Sequence, residues 1–219
     1  MRIKASLAVS HNRTAQSHLY RPSPAIPVGL TLLMVVLLLA VPVGAESGPV
    51  SALATELAPR IAEPGFAELV ISKARGLRSL ADSVTLISGL LAKSTRISNS
   101  RLLYVELASL QELLGRYEEA ANSWEAAVAA QPGKGETIWL LSAAACRLAI
   151  GEAEAASALA KAALLTSATP RLIALAHLIE ARALMLTGDL EGAHARIKDI
   201  LDAGASGLEA AALSLARDV

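Results

Sequence analysis

Glycines at positions 76, 115, 151 and 188 stand 39, 36 and 37 residues apart, and each is followed five residues later by an alanine, Ala81, Ala120, Ala156 or Ala193. No other feature constrains the fold as tightly. Glycine readily adopts the left-handed backbone that ends a helix. A small side chain at a fixed distance beyond it lets a second helix approach closely enough for ridge-into-groove packing. The stretch 101–134 shows the unit best: apolar and small residues keep a 3.6-residue period on both sides of Gly115, and Pro132 with Gly133 closes it as a turn. The pattern predicts two antiparallel helices per unit. Nine and twelve residues past the glycines stand Trp124 and Ala127, Ala160 and Ala163, and Ile197 and Ile200, extending the recurrence through three units. An ordinary bundle of antiparallel helices shares these periodicities. The recurrence of Gly and then Ala favours a stacked repeat.

Local signals place the boundaries. A helix is expected over 66–75, broken at Gly76, and a second from the Ser79 cap to about Ala92. Polar residues 94–100 form a loop. Thr137 is the expected N-cap of a helix over 138–150, which Gly151 ends. Thr169 and Pro170 open the next helix, through Thr187. Gly192 lies inside the following one at a cost of about 1 kcal/mol. Residues 208–217 form a last, capping helix.

The central unit resembles a tetratricopeptide repeat. The family pattern of aromatic, Leu-Gly, aromatic, then Ala, aromatic and Pro is met by Tyr104, Leu107-Ala108, Ala120, Trp124 and Pro132, with Gln111 where an aromatic is usual. The resemblance covers about 101–207. The match in 65–100 is weak, so that stretch reads as a degenerate or capping hairpin. The implied fold is an all-α, right-handed, TPR-like solenoid of three to four helix pairs plus a C-terminal capping helix, and the implied role is a scaffold for protein binding.

Composition bounds the rest. Residues 1–45 carry four Lys or Arg and no acid, and the apolar run Leu32–Val41 with its flanks, 28–43, has the length of a signal-peptide core. It is shorter than the roughly 20 residues that span a bilayer comfortably. Val43 and Ala45 suit cleavage before Glu46, and an uncleaved signal-anchor is the alternative; either places the body in the periplasm or another extracytoplasmic space. Residues 46–64, rich in Pro and Gly, read as a linker with one brief helical turn. From residue 46 onward 16 basic residues face 20 acidic ones, without a Lys/Arg cluster. That balance argues against a nucleic-acid partner.

Little in the chain points to catalysis. His177 and His194 fall on different helices, and Cys146 is the only cysteine. No metal or cofactor is expected. QPGKGET lacks the residues a phosphate loop needs, with Val128 and Gly135 at two required positions, so it reads as a turn. Glu118, Glu119, Glu152 and Glu154 sit at helix starts, where acids favour the macrodipole. With no convergent acid, base and orienting group, no catalytic residue is assigned and the chain is not expected to be an enzyme.

Binding is better supported. In the family it resembles, the first helix of each hairpin lines the concave surface. Here those helices offer Leu102, Val105 and Glu112, then Ile138, Leu141, Ala145 and Leu148, then Leu175, Leu178, Arg182 and Met185. The expected groove is largely apolar and suits a helix or apolar peptide of a protein partner. It could instead serve self-association, or be filled by residues 50–64 of the same chain.

Overall fold

The computed structural model describes residues 48–130, 133, 135–167, 169–204 and 207–217. The expected leader, its apolar run at 28–43, and Pro132 lie outside these residues.

Among the described residues the chain is all-α, with ten α-helices, one 3-10 turn and no strand. Helix α1 (Gly48–Leu57) and the 3-10 turn Ala58–Arg60 precede four hairpins. These are α2 (Phe66–Arg75) with α3 (Leu80–Lys93), α4 (Ser100–Leu113) with α5 (Tyr117–Ala130), α6 (Glu136–Ala149) with α7 (Ala153–Thr166), and α8 (Pro170–Thr187) with α9 (Leu190–Asp202). A short α10 (Glu209–Leu215) follows. From α3 onward each helix packs on the next, while α2 also meets α4 and α6 also meets α8. Contact with near neighbours in sequence is the signature of a hairpin solenoid.

The last three hairpins are built alike from the turn outward. Gly115, Gly151 and Gly188 have φ of 72°, 82° and 83°. In each turn the next residue's N–H reaches five residues back: Arg116 to Gln111, Glu152 to Arg147 and Asp189 to Leu184, all at 2.9 Å. These bonds satisfy the orphan carbonyls at the helix end, as in a Schellman turn. Beyond them Ala120, Ala156 and Ala193 are fully buried, as are Ala127, Ala163 and Ile200. Gly192 also has a local reason. Asp189 Oδ1 accepts its N–H at 2.9 Å, and a β-carbon there would come within 2.5 Å of Asp189 Oδ2. The expected helix penalty is thus set against a cap that Asp189 makes in this rotamer, which a larger side chain at 192 would have to shift.

The first hairpin differs. Gly76 has φ −82° in right-handed backbone, and Ala81 is only half-buried. Burial in α3 falls instead on Ser83, Val84, Leu86, Ile87 and Leu90, and the Ser83 hydroxyl donates to the Ala74 carbonyl at 2.7 Å. The glycine spacing thus continues into a hairpin that turns by another geometry.

Two local expectations are corrected. Where the sequence predicts a linker with one brief helical turn, Gly48–Leu57 forms a ten-residue helix. Val50, Leu53, Ala54 and Leu57 form a helical stripe on α1, Leu57 is fully buried, and α1 packs on α3. Pro59 ends this helix at a 3-10 turn rather than preventing it. Thr137 is not a cap either. Helix α6 starts at Glu136 behind Gly135, and Thr137 is buried with its hydroxyl 2.8 Å from that of Thr166 on α7. Ser79, by contrast, caps α3 as expected, accepting the Ala81 N–H at 3.1 Å.

Candidate functional site

Helices α6 and α8 pack side by side and leave a trough of about 710 Å³. Eight of the residues expected to face a groove meet there: Ile138, Leu141, Ala145 and Leu148 on α6, and Leu175, Leu178, Arg182 and Met185 on α8. Their spacing of three, four or seven residues puts each set on one helical face. The floor is part of the fold, since Leu141 and Ile179 are only 3% and 6% exposed and belong to the core between α6, α7 and α8. The rim is open. Ile138 and Leu186 are 53% and 62% exposed, large values for such apolar side chains. Leu215 on α10 adds to the lining.

The sequence reasoning missed six lining residues: Ser142, Ala149, Leu172, Ile179, Leu186 and Leu215. The first five continue the helical faces already chosen and were legible from the period. Leu215 belongs to a separate helix and had no such signal.

Leu102, Val105 and Glu112 are corrections, because α4 does not line the trough. Trp124 is the reason. Its indole packs among Ala108, Ala143 and Cys146 and fills the junction of α4, α5 and α6. Val105 packs against that cluster, and Leu102 packs instead against the N-terminal core around Leu103 and Leu107. Glu112 turns inward, where Oε1 accepts from Trp124 Nε1 at 2.6 Å and from Cys146 Sγ at 3.1 Å. Beside it, Gln111 accepts from the Ser123 hydroxyl at 2.7 Å. Glu112 Oε1, Trp124 Nε1, Gln111 Oε1 and the Ser123 hydroxyl therefore have partners, as burial requires.

The remaining polar groups brace helices. Burial, then the hydrogen bond and negative charge of Glu112, push the Cys146 thiol up to about 12, with Arg147 opposing; the thiol stays protonated and unreactive at neutral pH. Arg147 bridges Asn122 and Glu125 on α5 to Glu152 at the next turn, with bonds of 2.7–3.0 Å. The buried Glu180 carboxylate lies between α7, α8 and α9, 3.7 Å from Lys161 Nζ and 3.9 Å from both Arg196 Nε and His177 Nδ1. Among the described residues no group of three His, Cys, Asp or Glu could hold a metal ion. No described helix is long and apolar enough to cross a membrane.

The expected self-filling by residues 50–64 does not occur at this trough: α1 packs on α3, and none of its residues lines the cavity. No protein-family model matches the chain, and a search of curated proteins finds no match.

Proposed function

We propose that this chain is an exported, tetratricopeptide-like adaptor whose body stands outside the cytoplasm and holds an apolar segment of a protein partner in the trough between α6 and α8. One observation carries the reading: among the described residues nothing covers a trough lined by aliphatic side chains, and the amphipathic helix α1 docks on α3 instead of in it. An open apolar trough flanked by two helices suits an incoming amphipathic helix, which supplies its own solvent-facing side. A closed small-molecule site would bury most of its ligand. The repeat architecture supports a binding role rather than chemistry, and no acid, base and orienting group converge on the trough.

The test is affinity capture of the tagged protein from an envelope extract of its source, beside Ile138→Glu and Leu186→Glu variants. Both positions are more than half exposed, so the fold is retained. Leu141→Glu would be a poor control, because its side chain is buried in the core. One partner captured by the parent and lost from both variants is the expected outcome. A partner retained by both would remove the trough from the function, and recovery of only the chain itself would favour self-association.

A further inference from the structure

Among the trough's lining residues Arg182 alone carries a charge. Arg147 and Arg196 are each held by two carboxylates, yet no carboxylate among the described residues pairs with Arg182. Its neighbours on the same face are apolar on both sides. Leu178 and Ile179 lie four and three residues before it, and Met185 and Leu186 three and four after it. A helix laid along α8 must therefore cover a cation set one turn from apolar contacts in either direction. Covering it with hydrocarbon alone would strip water from a guanidinium and return nothing. A carboxylate at that level would form a forked, charge-assisted pair, which arginine's geometry favours.

Resting on the adaptor reading, we infer that the partner segment is an amphipathic helix whose apolar stripe is interrupted by a single Asp or Glu that pairs with Arg182. Its apolar residues stand three or four positions before and after that acid, matching Leu178 and Met185 on the facing helix. The acid selects the partner and fixes its register; the apolar flanks supply the contact area.

A display library of amphipathic helices with an aliphatic stripe, randomised at one stripe position, tests this on the full-length protein. The parent should enrich Asp and Glu at that position, and Arg182→Glu should enrich Lys and Arg instead. For the best binder, replacing the acid by its amide should weaken binding about tenfold or more. The same replacement should change binding to Arg182→Leu less than twofold. Arg182 is exposed, so circular dichroism should show both variants folded as the parent is. The inference is overturned if parent and Arg182→Glu enrich the same residues. Should those peptides still be lost from Ile138→Glu, the trough itself remains a docking site. If no peptide is enriched while hexadecanoate binds in an Arg182-dependent way, the occupant is a fatty carboxylate, and both the helix and the adaptor reading fall.

Discussion

Cys146 and Glu112 show how single positions in this chain trade chemistry for structure. The thiol donates to a carboxylate that also accepts from Trp124, so three helices meet at one oxygen, Glu112 Oε1. Because the folded thiol titrates near 12 rather than 9.0, the native state holds a proton that the unfolded chain releases between those values. The thiol's contribution to stability is thus constant below about pH 9 and falls above it, by on the order of 1 kcal/mol per pH unit. Urea midpoints measured from pH 8 to 11 should show that decline in the parent and lose it in Cys146→Ala. Iodoacetamide should leave the native thiol unmodified at pH 8 and label it only as urea unfolds the protein. The hairpin glycines separate in the same way. Gly151→Ala forces alanine to φ 82° and should cost about 1 kcal/mol or more, whereas Gly76→Ala, at φ −82°, should change the thermal midpoint little or raise it. Equal losses at both sites would contradict the different turns described here.

At the scale of the helix, periodicity carried most of the information. It placed α2, α3, α6 and α8 within a few residues, because a stripe of apolar residues and a glycine stop are both local facts. It failed at α1, where Pro49 in its first turn and Pro59 beyond it outweighed a stripe of four residues, and only the burial of Leu57 against α3 shows that the helix belongs to the core. Leu57→Ala should therefore cost about 2–5 kcal/mol in chemical denaturation, as for other fully buried leucines. A loss below 1 kcal/mol would return the segment to the status of a linker. The α6 and α8 faces of the trough were legible for the same local reason that the helices were. Its extent was not. Whether α4 joins α6 in a groove depends on where a tryptophan from α5 comes to rest, and no spacing within α4 encodes that.

Among the described helices, the main contacts run between near neighbours in sequence. Such arrays open from their ends, since a terminal unit lacks half of its interface. Amide exchange should be slowest in α5 to α7 and faster in α10, whose core contribution is Ala212 and Leu215. Leu215→Ala should speed exchange in α9 and α10 while leaving α5 unchanged; uniform acceleration along the chain would mean global rather than end-wise opening. The three matching turns have a further consequence. Each is a self-contained joint that ends one helix, presents a small residue five positions on and asks nothing of distant parts of the chain. The molecule is therefore jointed like a carpenter's rule, each turn setting the angle of its own leaf while the faces between leaves, such as that of Trp124, stay individual.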